Sequence, residues 1–143
     1  MGDAMYLIDT NVISELRKRG SANPGVHTFF NEVAVKEIPC YLSVVTVGEL
    51  VRGSAIIRHR GDTKQADAID SWLKTILDDY ATNILAIDQD VATLWGHLRV
   101  PNYENALDKQ IAATALVYSL EIVTRNISDF KRSGVKTLNP FSD

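Results

Sequence analysis

One cysteine, Cys40, stands among 143 residues, so no disulfide can form within the chain. A fold that does without disulfides suits a reducing compartment, and a cytoplasmic location is expected. No run of 18 apolar residues occurs, and a membrane-spanning helix needs at least that length. The N-terminus carries no secretory signal pattern, and Tyr6 stands where a myristoylated chain has Ser or Thr. An excess of positive charge is also missing. With 15 Lys and Arg against 18 Asp and Glu the formal charge is −3, which argues against a DNA-coating protein. A nuclease stays open, because acids that hold a metal lower the count while basic residues gather elsewhere. The sequence has no internal repeat, low-complexity tract or composition break.

What is present reads as one globular domain. Hydrophobic residues make up 45% and charged residues 23%, ordinary values for a packed fold. The length allows a sizeable core. Met1-Gly2-Asp3-Ala4 ahead of Met5 read as a leader and are set aside, which leaves a domain at 5–143.

The chain is organised around Met5-Tyr6-Leu7-Ile8-Asp9-Thr10-Asn11. A short apolar run predicts a buried strand of a parallel sheet. It ends on a carboxylate, at the strand edge where open α/β sheets bind ligands. Further strands are predicted at Cys40–Ser43, Ile84–Ile87, Glu121–Thr124 and Val135–Leu138. Helices are predicted at Val12–Arg19, Val26–Glu32, Thr46–Arg60, Thr63–Tyr80, from Asp88 through Leu98, and Leu107–Tyr118. In the Thr46–Arg60 helix, Val47, Leu50, Val51 and Ala55 form one stripe. The next helix has a broad stripe of Ile69, Trp72, Leu73, Ile76, Leu77 and Tyr80. Gly61-Asp62 between them makes a helical hairpin. Strands alternating with helices predict an α/β fold, a parallel sheet with helices on both faces.

Candidate site residues are Asp9, Glu49, Asp108, Asp129 and Asn126, each at an element boundary. Each has a plain structural alternative. Asp9 can cap the helix after it. Thr46-Val47-Gly48-Glu49 matches a capping box, in which Glu49 would reach back to the cap. Yet Glu49 lies off the apolar stripe, and helical side chains lean toward the N-terminus. Asp108 gains from the helix macrodipole, and Asn105-Ala106-Leu107-Asp108 imitates another capping box. Asn126 and Asp129 are ordinary turn residues. The combination carries more weight. In one parallel sheet these acids converge, repel one another and call for a cation. An oxygen-only site suits Mg²⁺ or Mn²⁺, which serve phosphoryl transfer.

In LIDTNVISEL (7–16), SVVTVGELVRG (43–53), DKQIAATAL (108–116), TRNISDF (124–130) and Asn139-Pro140, the sequence resembles the PIN-domain ribonucleases, most closely the VapC-type, FitB-like toxins. The resemblance runs from Met5 to Pro140. It implies a three-layer fold with strand order 3-2-1-4-5 and a protruding helical hairpin. It also implies a Mg²⁺- or Mn²⁺-dependent endoribonuclease acting on tRNA or other structured RNA. Its acids map onto Asp9, Glu49, Asp108 and Asp129 as metal ligands, with Asn126 where some relatives carry Asp. The implied partners are a second copy of the chain and a small VapB- or FitA-like antitoxin across the active cleft, with DNA bound only through the antitoxin.

Competing readings are a toxin acting mainly in a DNA-binding repressor complex, a haloacid-dehalogenase-like phosphatase and a receiver-like module phosphorylated on Asp9. A dehalogenase-like D-x-D would need Asp where Asn11 stands. Trp72 and Trp95 are expected in the core or a dimer interface, and His59 and His97 at the surface. Arg125, Lys109, Lys131 and Arg132 flank the acids, where RNA phosphates would lie. Part of the Ile69–Tyr80 stripe is expected to meet a second subunit, beside the Thr46–Arg60 helix.

Overall fold

The computed structural model describes residues 4–143; the leader assigned to residues 1–4 lies outside this range except for Ala4. Five parallel strands form one sheet in the order β3-β2-β1-β4-β5. They are β1 (Tyr6–Ile8), β2 (Cys40–Ser43), β3 (Ile84–Leu85), β4 (Glu121–Val123) and β5 (Thr137–Leu138). In the centre, Leu7 pairs with Ile122 and Ile8 with Val123. Successive strand residues face opposite sides, so these pairs feed two cores. Ile8 and Val123 pack with α1 (Thr10–Glu15), α2 (Pro24–Val35), α3 (Val44–His59) and α4 (Thr63–Asp79), through Val12, Phe29, Leu50 and Leu73. Leu7 and Ile122 pack on the other face with α6 (Ala106–Val117), through Ile111, Ala112 and Ala115, and with Phe130; Leu98 of α5 (Gln89–Leu98) joins them. The result is the expected three-layer arrangement.

Several local expectations are corrected. β3 ends at Leu85, not Ile87, because it is an edge strand with a single neighbour. α2 extends to Val35, beyond the predicted Glu32. Past Glu15 the chain tightens into a 3₁₀ segment, Leu16–Ser21, kinked at Arg19 (φ 54°). α3 starts at Val44, capped by Ser43, whose Oγ accepts from Val45 N at 3.0 Å. Thr46 is therefore a buried first-turn residue and forms no capping box. The buried face of α3 is Thr46, Leu50 and Ser54, while Val51 is 49% exposed and Ala55 is also exposed. The α4 stripe serves the core, while its Trp72, Leu77 and Tyr80 stay partly exposed. Ile69, Leu73 and Ile76 are buried, and Trp72, Leu77 and Tyr80 pack against the same core.

The hairpin of α3 and α4 is pinned by Ser54, whose hydroxyl donates to Asp70, and by Arg58, which bridges Asp67 and Asp70 at 2.8 and 2.7 Å. Its tip, residues 58–65, is fully exposed. No helix among the described residues is long and apolar enough to cross a membrane.

Candidate active site

Asp9 leaves β1 in extended backbone (ψ 158°) and caps α1. Its Oδ1 accepts from Thr10 N at 2.8 Å. The capping reading is therefore correct, but it uses one oxygen only. Oδ2 accepts from the Thr124 hydroxyl at 2.8 Å and lies 3.5 Å from Asn11 Nδ2. Thr124 follows β4, the neighbouring strand, and is wholly buried. Burial raises the Asp9 pKa, opposed by the bonds from Thr124 and Thr10, and Asp129 raises it further.

Asn11 joins the same strand ends. Its Oδ1 accepts from Arg125 N at 3.0 Å, and its Nδ2 lies 3.4 Å from Thr124 Oγ1. An amide held this way is a strut. It is not a general acid, so the phosphatase reading has no support. Asp9 is only 7% exposed with both oxygens engaged, which equally disfavours a phosphoacceptor.

Glu49 sits in the second turn of α3. Its Oε1 accepts from the Thr10 hydroxyl at 2.9 Å. Thr10 thus ties Asp9 and Glu49 together, one through its amide and one through its side chain. Asp108 lies in the first turn of α6. Asn105 does not cap that helix by its side chain. It takes a left-handed conformation (φ 58°, ψ 45°) that Asn tolerates better than most residues. Burial pushes the Asp108 carboxyl up to about 6, followed by repulsion from Asp129, Asp9 and Glu49 in that order. Asp108 and Asp129 line the same cleft.

Asp129 belongs to a 3₁₀ turn, Ile127–Ser133, that follows β4. Phe130, buried beneath it, fixes the turn to the second core. Asn126 enters that turn without a side-chain cap. Its backbone N–H donates to Thr124 Oγ1 at 3.1 Å, and its carbonyl accepts from Asp129 N at 3.1 Å. Asp9, Glu49, Asp108 and Asp129 thus bear on one another electrostatically, while Asn126 contributes its backbone.

The donor set fits a hard divalent cation, since it is oxygen-only and carries four carboxylates. Among the described residues no three acids, His or Cys close in tightly enough to enclose an ion. Thr10 and Thr124, which aim the acids, were not singled out from the sequence. Their only signal is a Thr one or two residues before an Asn, in Thr10-Asn11 and in Thr124-Arg125-Asn126.

Two clefts adjoin the acids. One, about 250 Å³, runs from Thr10 and Glu49 between α1, α3 and α4 past Arg17, Ile57 and Trp72. The other, about 460 Å³, opens from Asp108 and Asp129 between the α5–α6 loop and the Ile127–Ser133 turn. Trp95, expected in the core or a dimer interface, is half-buried beside that loop; its Nε1 donates to Ala106 O at 3.0 Å and Arg99 stacks on its ring at 4.7 Å. His59 and His97 are exposed, as expected.

Comparison with known proteins gives a consistent result. The PIN domain family model matches residues 6–135. The chain is 33% identical over 147 residues to "Toxin FitB" of Neisseria gonorrhoeae, covering 97% of this chain and 100% of that protein. It is 29% identical over 143 residues to "VapC ribonuclease Y4jK" of Sinorhizobium fredii, covering 96% and 98%. Among solved structures, "FitAB bound to IR36 DNA fragment" matches with a TM-score of 0.78 at 30% identity, covering 97% of each chain.

Proposed function

The chain belongs to the PIN-domain family, in the branch that includes toxin FitB, and on that premise we propose that it is a metal-dependent endoribonuclease, the cytoplasmic toxin of a toxin–antitoxin pair, with 5–143 as one catalytic domain. The observation that carries this reading is the convergence of Asp9, Glu49 and Asp129 on Asp108 at the carboxyl edge of the sheet, where all three add to its repulsion and Asp129 also acts on Asp9. The name of the relative VapC ribonuclease Y4jK supports RNA as substrate. Structured RNA, tRNA included, is the substrate class we expect.

Asp9, Asp108, Glu49 and Asp129 would hold Mg²⁺ or Mn²⁺. Such an ion, when bound, polarises a phosphate oxygen and lowers the pKa of water. The chain's own work is orientation. Thr124 and Thr10 fix the Asp9 carboxylate, and Thr10 also fixes Glu49. EDTA should silence RNA cleavage, and Mn²⁺ or Mg²⁺ should restore it; full activity in EDTA overturns the proposal. Protons compete with metal here. The folded Asp108 pKa of about 6 exceeds its ordinary 3.8, so the metal-free protein binds more protons folded than unfolded between these values. Its stability therefore falls as pH rises through about 6. The gain in Tm on adding Mn²⁺ should run the other way, small at pH 5 and large at pH 7.5. A gain independent of pH would contradict it.

The second copy is expected at α3 beside the exposed part of the α4 stripe, because Val44 and Val51 are 39% and 49% exposed there. Sedimentation should give a dimer, and Val51→Glu a monomer. A wild-type monomer at micromolar concentration refutes this.

An acidic cleft suits a basic blocker, and Arg meets carboxylates with two parallel bonds. We expect the antitoxin to lie along the cleft past Trp72 and to set an Arg or Lys against Asp9, Glu49 or Asp108, displacing metal. A complex with those three open and metal-bound would contradict it. A repressor role is supported by the likeness to FitAB bound to DNA. With a net charge of −3 on this chain, the DNA contact would belong to the antitoxin.

A further inference from the structure

The cleft that opens from Asp108 and Asp129 extends beyond the four acids. Its apolar lining includes Leu98 and the buried Ala112. One wall is the loop carrying Asn102, Glu104 and Asn105. The other is the 3₁₀ turn with Ser128 and Arg132. The loop wall is tethered. Lys109 Nζ donates to Asn102 O, and Arg99 Nε to Tyr103 O at 3.3 Å. Trp95 holds the start of α6 through Ala106 O. The cleft is thus a built feature of the fold.

Its chemistry is mixed in a particular way. An apolar lining suits the face of a base, and side-chain amides offer both donors and acceptors to a base edge. A guanidinium at the rim suits a phosphate. The volume of about 460 Å³ lies within the ~300–1,000 Å³ range of small-ligand sites. The cleft also ends on two of the acids, so an occupant reaches the reacting centre. Two cations line the cleft: Lys109, with one N–H on Asn102 O, and Arg132, for which no hydrogen bond or ion pair is found among the described residues.

We propose that this cleft holds one unpaired nucleotide beside the bond that is cut, with Arg132 on a phosphate, Asn102 and Asn105 at the base edge, and Leu98 and Ala112 beneath the ring. The proposal rests on the ribonuclease reading for its purpose but not for its test. Adenosine and uridine 5′-monophosphate are titrated into the metal-free protein while backbone amide shifts are followed. Shifts should cluster at 98–112 and 128–133, vanish in Arg132→Ala, and not be reproduced by inorganic phosphate. Arg132 is exposed, so its removal should leave the melting temperature unchanged. No shifts, shifts centred elsewhere, or equal shifts with phosphate alone each overturn the proposal. A second readout uses a single-stranded RNA that the wild type cuts. Arg132→Ala should raise KM about tenfold, the scale of one charged hydrogen bond, and leave kcat nearly unchanged. An unchanged KM overturns the proposal while the nuclease reading stands. A wild type that cuts no RNA with any metal removes the nuclease reading instead, and the titration still decides the cleft.

Discussion

Asp9→Asn should leave the protein folded and reduce RNA cleavage by about a thousandfold or more, the scale of removing one preorganised charge-stabilising group. The fold should survive because the amide has the same shape and keeps the cap: its oxygen still accepts from Thr10 N, as Oδ1 does now at 2.8 Å. The Thr124 bond is weakened, because Thr124 Oγ1 already accepts from Asn126 N. The charge is what disappears. Without metal, the variant should be at least as stable as the wild type, because one source of repulsion on Asp108 is gone. With Mn²⁺ it should gain less in Tm than the wild type does. Thr124→Val separates orientation from charge: it keeps the carboxylate but frees it, and should cost less activity than Asp9→Asn. Cleavage and metal-dependent Tm shifts are measured together. Activity within tenfold of wild type in a folded Asp9→Asn protein would remove Asp9 from the site.

The parts of this fold that sequence reveals are those set by local periodicity. The apolar run before Asp9, the run at Ile122 and the i, i+3, i+4 stripe of α4 each leave a pattern that burial alone explains. What failed was local chemistry with two uses. Thr46 and Glu49 have the spacing of a capping box, yet Ser43 starts the helix earlier and leaves Thr46 in the core. Asn105 and Asp108 repeat the ambiguity. Amphipathic width is ambiguous in another way. Much of the α4 stripe is used inside one chain, where Leu73 and Ile76 join the core and α3 packs alongside. The site was legible as a set of acids but not as an arrangement. Thr124 meets Asp9 across 115 positions, and Thr10 meets Glu49 across 39. Contacts that distant leave no spacing signal in a single sequence.

The fourth position of the site tests whether geometry or sequence proximity to the strand decides a role. Asn126 follows β4 more closely and resembles a ligand by position. In the structure it spends its backbone on Thr124 and Asp129, and its side chain caps nothing. Asp129 comes a turn later, brought back toward the acids by the 3₁₀ segment and by Phe130 beneath it. Its charge is felt at both Asp108 and Asp9, and it leads the repulsion on Asp108. We therefore expect Asp129→Asn to lower cleavage about tenfold to a thousandfold, the range for one charged participant. Asn126→Ala should lower it less, because the backbone bonds that shape the turn remain. The Asp129→Asn protein should also titrate differently: with the largest neighbouring charge removed, Asp108 should ionise at lower pH, visible in its carboxyl chemical shift. If Asn126→Ala proves the more damaging, its amide rather than the Asp129 carboxylate completes the site. If neither change alters cleavage, Asp9, Glu49 and Asp108 act without a fourth residue, and the reaction needs only the ion that those three hold.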